Sequence, residues 1–245
     1  MFRSLRFLFL SVFLCSGVFA QRPGEAFQVS TLDALSLGLF QGSMTFSELR
    51  EHGDFGVGTF DSLDGEMIAL EGRFFQARSD GTVSRVENDT TTPFALVTKF
   101  KASQSIAIRG PVTRQQVFDI IDQMLASKNY FYAVKIHGAF SSVTARSVPK
   151  QFQPYSTLAD AIAQQAVFPL RNVRGTLVGF RSPAFVKGIN QVGYHFHFIS
   201  DDQKAGGHAL DFIAADVLVE IETLRQHSTF LPDTQPFREA PLPLP

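Results

Sequence analysis

The chain of 245 residues contains one cysteine, Cys15, and no tryptophan. A single thiol forms no internal disulfide and no thiolate metal cluster, so stability must come from the core and any metal site from other donors. An excess of positive charge is also missing. Lys and Arg number 22 against 23 Asp and Glu, a formal net charge of −1, which is no balance for binding nucleic acid. Long apolar runs are scarce too. Phe7 to Val18 is too short to span a bilayer comfortably. It follows the basic start Met1-Phe2-Arg3-Ser4-Leu5-Arg6 and leads into Val18-Phe19-Ala20. We read residues 1–20 as a signal peptide cleaved before Gln21, and the protein as secreted or extracytoplasmic, without membrane contact after cleavage. Cleavage would remove Arg3, Arg6 and Cys15 but no acid, leaving a more acidic chain without any thiol. A chain of this length buries about 70–75% of its unfolded surface, enough for one large or two small domains. Twenty-six phenylalanines are available to fill that core.

Local signals alternate between helix starts and hairpins. Ser30-Thr31-Leu32-Asp33 opens a helix with Leu32, Leu35 and Leu39 on one side and Gly42 as its end. Thr45-Phe46-Ser47-Glu48 is a capping box, and Thr113 caps the clearest helix, with Val117, Phe118, Ile120, Ile121, Met124 and Leu125 as its buried stripe. Asp64-Gly65 is a turn from which Glu66 to Leu70 leaves as a strand, and Ser79-Asp80-Gly81 turns a second hairpin. Tyr130 to Ile136 and Phe140 to Val148 are expected as two strands turning near Gly138. A helix capped by Ser156 is expected to run to about Gln165, and Val173 to Arg181 and Val217 to Leu224 as further strands. Pro149 to Tyr155 is polar with two prolines and divides the chain into an N-terminal domain, 21–150, and a C-terminal domain, 151–245, ending in an extended Pro-rich tail. The fold class that follows is α+β, in a two-domain α/β architecture with mixed and antiparallel sheets.

Histidine is sparse, and its distribution is uneven. Three of the six histidines fall between 195 and 208. In Gly193-Tyr194-His195-Phe196-His197-Phe198-Ile199-Ser200 a strand puts His195 and His197 on one face and Phe196 and Phe198 on the other. Asp201-Asp202-Gln203-Lys204 and Gly206-Gly207 allow the chain to double back, which returns His208 beside the pair. Three imidazoles on adjacent strands make a tripod with an open fourth position, the arrangement of a catalytic zinc site. A buried histidine is more often a hydrogen-bonded core residue, and His52, His137 and His227 are read as structural or surface. Glu66, on a face with Ile68 and Leu70, reads by itself as a strand-end carboxylate reaching water. Arg146, on a face with Thr144 and Ser142, reads by itself as solvated. An open zinc position supports hydrolysis or hydration through an activated water, or Lewis-acid polarisation of a substrate oxygen. The stretch contains no H-E-x-x-H base for a hydrolase.

Several blocks, taken in order, carry a more specific signal. Gly53-Asp54-Phe55-Gly56-Val57-Gly58-Thr59-Phe60 with Leu63-Asp64-Gly65-Glu66, then Arg174-Gly175-Thr176-Leu177-Val178-Gly179-Phe180, and the histidine hairpin together resemble the α-acetolactate decarboxylase family over most of residues 28–237. The resemblance implies a two-domain zinc enzyme, usually a homodimer. Such an enzyme splits a 2-hydroxy-3-keto acid, α-acetolactate, into acetoin and carbon dioxide through a metal-stabilised enediolate, a step towards butanediol. It implies that His195, His197 and His208 are Zn2+ ligands, that Glu66 and Arg146 are catalytic, and that Thr59 and Arg146 meet the substrate. It replaces the solvated readings of Glu66 and Arg146. One departure stands out: the family's tail returns a carboxylate to the active site, and Asp233 and Glu239 lie in the wrong context to supply it. A zinc-binding protein of the same fold with altered activity, or a zinc hydrolase or hydratase, are the alternative readings.

Overall fold

Two sheets meet along one buried seam, and the computed structural model describes them over residues 24–242. The leader read at 1–20, its cleavage point, Cys15, and the end of the Pro-rich tail lie outside those residues. In chain order the first half contributes β1 (Glu25–Val29), α1 (Leu32–Ser36), β2 (Met44–Thr45), α2 (Phe46–His52), β3 (Phe55–Thr59), β4 (Glu66–Leu70), β5 (Arg73–Ala77), β6 (Val83–Arg85), β7 (Thr91–Thr92) and β8 (Ala95–Thr98). The second half contributes β9 (Gln104–Thr113), α3 (Arg114–Met124), β10 (Phe131–Ser147), α4 (Leu158–Ile162), β11 (Ala166–Ser182), β12 (Gly193–Ser200), β13 (Gly206–Leu224), β14 (Gln226–Phe230) and α5 (Gln235–Glu239).

A seven-stranded sheet runs β14-β1-β8-β3-β4-β5-β6, and only its β1–β14 pair is parallel. A five-stranded antiparallel sheet runs β10-β11-β12-β13-β9, and an added β10–β13 pairing rolls it into a ring. Residue 150 does not separate the sheets: β14 belongs to the first, and β9 and β10 to the second. Phe55, Val57, Ile68 and Leu96 from the first sheet pack against Ala133, Val178, Phe180 and Ile199 from the second. The ring encloses its own core, onto which α3 lays Val117 and Ile121, both fully buried. Each such side chain contributes about 1.5–3 kcal/mol. The expected capping boxes at Thr45 and Thr113 are present, and each is worth roughly 1 kcal/mol.

Four expectations need correction. Gly138 makes no turn, because β10 runs unbroken from Phe131 to Ser147. There φ is +150°, and a Cβ would lie 2.2 Å from the carbonyl oxygen of Asp216, so the glycine admits the close passage of β13. The helix opening near Ser30 is capped by Thr31 and stops at Ser36, since Gly38 takes φ +87° under the backbone of Ser156. The helix near 156 is likewise one short piece, capped by Thr157 rather than Ser156. The strands expected at 173–181 and 217–224 are the later parts of the much longer β11 and β13.

Candidate metal centre

Alternation along β12 decides which side chains meet. Phe198 is fully buried in the ring core, edge-on to Phe140 at 5.7 Å. Tyr194 stacks on Phe118 of α3 at 4.0 Å, and its hydroxyl donates to Asp122 at 2.8 Å. With that face anchored, His195 and His197 must point the other way, towards β4 of the first sheet. β13 returns with His208 directly opposite His197, while Arg146 of β10 lies opposite His208 on its other side. Gly207 makes this approach feasible. Its φ is +144°, and a Cβ there would sit 2.5 Å from the carbonyl oxygen of Arg146.

The three imidazoles each offer a ring nitrogen within 4.8 Å of the others. His195 Nε2 and His208 Nδ1 are 3.2 Å apart. His197 Nδ1 lies 2.8 Å from the carbonyl oxygen of Met67, which only accepts, so this nitrogen carries the proton. The Nε2 of the neutral ring is then free to face the cluster. Burial lowers the His195 pKa to about 4, and the Arg146 charge adds to the effect. Burial holds His197 and His208 well below the ordinary imidazole value, helped by neighbouring His195 and Arg146 respectively. All three rings are therefore neutral near pH 7, the state that a metal ligand requires.

Glu66 and Arg146 complete the cluster. Glu66 opens β4 opposite Thr59 of β3. Its Oε1 accepts a short charge-assisted bond from Arg146 Nη1, and its Oε2 lies 3.5 Å from His197 Nε2. The pair is buried, with side chains 8% and 12% exposed, so neither is the solvated residue that local pattern alone suggests. Burial raises the Glu66 pKa, against the opposing pull of the Arg146 guanidinium and of the Val148 N–H. Thr59 Oγ1 donates to the carbonyl oxygen of Gly65 at 2.7 Å. One cavity of about 130 Å³ is lined by Thr59, Glu66, Arg146 and all three histidines. Every residue singled out from the sequence is thus brought together. Asp233 instead pairs with Arg238, Glu239 accepts from Gln235, and neither lines the cavity.

Sequence reasoning missed the Met67 carbonyl, which orients His197 through the backbone and leaves no residue signature. It also missed Gln191 and the aliphatic side of the cavity, formed with α1 and α4. The spacing of Leu158 and Ile162 gives a hint of the latter, but that spacing reads equally well as core. The remaining histidines, read as structural or surface, lie outside the cavity, and His137 is exposed. His52 stacks on Phe27 at 3.6 Å, His227 stacks on Phe131 at 4.8 Å, and His137 bonds Thr176 at 3.0 Å. Three neutral imidazoles whose ring nitrogens converge fit a divalent cation that keeps a position for a guest. The adjacent carboxyl and guanidinium are groups able to donate a proton and to hold an anion.

Known proteins resemble this chain in sequence and in fold. The family model described as Alpha-acetolactate decarboxylase matches residues 26–244. A Methanosarcina mazei protein named Alpha-acetolactate decarboxylase is 52% identical over 185 residues, which is 76% of this chain and 64% of that protein's length. A Methylococcus capsulatus protein of the same name is 42% identical over 89% of this chain and 84% of its own. The crystal structure of alpha-acetolactate decarboxylase from Bacillus subtilis strain 168 superposes with a TM-score of 0.89 at 40% identity, covering 90% of this chain and 94% of that one.

Proposed function

The chain belongs to the alpha-acetolactate decarboxylase family, a family of carboxy-lyases, and we propose that it converts α-acetolactate to acetoin and carbon dioxide with zinc held by His195, His197 and His208. One observation supports this above the others: three neutral imidazole nitrogens converge beside a buried Glu66–Arg146 pair in a single cavity. Bound there, the cation would supply Lewis-acid polarisation of the substrate's ketone oxygen and stabilise the charge that develops as the carboxyl group departs.

The chain's own groups carry the remaining work. Arg146 presents a planar guanidinium that holds the substrate carboxylate in a fork and aligns the bond to be broken. Carbon dioxide leaves without its electron pair, so the second carbon must then gain a proton. Glu66 holds its proton more tightly than an exposed carboxyl and is the donor, taking a proton back from solvent before the next turnover. Thr59, its hydroxyl proton committed to Gly65, offers only lone pairs and borders the substrate. The same proposal includes a homodimer and export of the protein, tested by sedimentation and by acetoin-forming activity outside the cytoplasm.

The decisive experiment incubates purified protein with racemic acetolactate and follows acetoin together with metal content. We expect acetoin at about one zinc per chain, loss of both on chelation, and recovery when zinc is returned. Protein that is full of zinc and forms no acetoin overturns the proposal.

A further inference from the structure

The cavity is chemically divided. Its donors and charged groups come from strands, whereas its other wall is largely aliphatic: Leu32 and Leu35 of α1, Leu63, and Leu158 and Ile162 of α4. These wall residues are not equally held. Leu35 and Leu63 are buried with Phe40, Phe94 and Val148 in a small core. Leu32, Leu158 and Ile162 only lean on that core and remain half-buried. Leu158 and Ile162 are four residues apart, hence on one side of a helix of a single turn or so, which Thr157 caps.

We infer that Leu158 and Ile162, together with Leu32, set the largest alkyl group that the site accepts beside the reacting carbon. The inference rests on the proposed reaction. α-Acetolactate carries a carboxylate, a hydroxyl and a ketone, and otherwise two methyl groups. With the oxygens turned to the cation position and Arg146, the methyl groups are left to the aliphatic wall. Its core-bound half, Leu35 and Leu63, is held by packing against Phe40, Phe94 and Val148 and does not yield. The α4 half borders solvent, and its side chains define the remaining width. One methylene in such a pocket changes selectivity about 10–200-fold.

The test compares kcat/KM for acetolactate and for its homologue with ethyl in place of the 2-methyl group, in wild type, Leu158→Ala, Ile162→Ala and Leu158→Phe. In parallel, calorimetry on the zinc-loaded proteins measures the affinities of the unreactive reduced analogues, in which the ketone is a hydroxyl, in methyl and ethyl forms. We expect either alanine variant to raise the ethyl-to-methyl ratio on the order of 10-fold or more, in both turnover and binding, and the phenylalanine variant to lower it. Should an alanine variant not fold, Leu158→Val and Ile162→Val make the same change in smaller steps. Ratios that stay put in every folded variant overturn the inference, even if acetoin is formed at full rate. A wild type that forms no acetoin while the analogue ratio still shifts overturns the reaction and leaves the wall standing.

Discussion

Two cavities among the described residues, each walled by strands of both sheets, differ in size, and the larger is chemically the quieter. That cavity, of about 280 Å³, is lined by Lys135, His137, Thr176 and Glu220 with Glu71 and Arg73. Its charges are satisfied where they stand. Lys135 Nζ meets Glu220 at 2.7 Å, Arg73 meets Glu71 at 3.2 Å, and His137 Nδ1 shares a hydrogen bond with Thr176. The cavity with the three imidazoles has less than half the volume. Yet its ring nitrogens crowd one another, and burial raises the pKa of its carboxyl against the pull of Arg146. Volume marks where something fits. Donors that the fold gathers into one cavity mark a candidate place for chemistry.

The strongest way to break this contrast is to remove one histidine from each cavity. His208→Ala is expected to lower acetoin formation by at least ~10³-fold and to empty the site of zinc, because two imidazoles no longer make a tripod. His137→Ala is expected to leave turnover within about 2-fold, since the polar partners of its ring among the described residues are a threonine and an exposed aspartate, away from the tripod. Equal losses in the two variants, read as acetoin rate and zinc per chain, would dissolve the distinction.

Glu66→Gln comes next in size. It keeps shape and a hydrogen-bond acceptor for Arg146 but removes the transferable proton. Turnover should fall about 10²–10⁴-fold while zinc content is kept. Full turnover with bound zinc would rule out the proton role. Arg146 would then be left as the only group of the pair acting on substrate.

Much of this was legible in the sequence, and the reason is local. The period-two alternation of His195-Phe196-His197-Phe198 fixes faces without any tertiary knowledge, and Gly206-Gly207 announces the close return that brings His208 back. The capping boxes at Thr45 and Thr113 are likewise contained within four residues. What local pattern misread is non-local. Glu66 and Arg146 looked solvated because the element that buries each one comes from the other sheet. Their pairing became legible only through family resemblance. Gly138 looked like a turn because nothing nearby reveals that β13 passes within contact of it. The aliphatic wall depends on α1 and α4 meeting across more than a hundred residues, which no periodicity within either helix encodes.

A smaller effect follows from the glycine that lets the tripod close. Gly207→Ala would place a methyl 2.5 Å from the Arg146 carbonyl oxygen at φ +144°. We expect a loss of about 2–4 kcal/mol in stability, seen as a lower melting temperature, with weaker zinc retention because His208 and Arg146 shift together. A variant as stable as wild type that holds zinc equally well would show that the strands have room to part.

The smallest expected effect separates a displaced carboxyl inside a site from one outside it. Glu222 is buried like Glu66, and burial raises its pKa, with Asp54 pushing the same way. Its partners are backbone N–H groups of Lys101 and Gly24, the Lys101 charge opposes the rise only weakly, and it lines neither of the two cavities. A carboxyl whose pKa is raised on folding binds its proton more tightly in the folded chain. Its stabilising contribution is complete below the unfolded value of about 4.3 and is lost as pH rises through the folded value. Glu222→Gln removes that titration. The melting temperature of the variant relative to wild type should therefore move in the variant's favour between pH 4 and pH 7, on the order of a few degrees. Acetoin formation should not change. A flat difference across that range would mean that the backbone donors fully offset burial at Glu222. A change in acetoin formation would mean that Glu222 reaches the tripod through β13, so that the quiet and the reactive carboxyl are not independent.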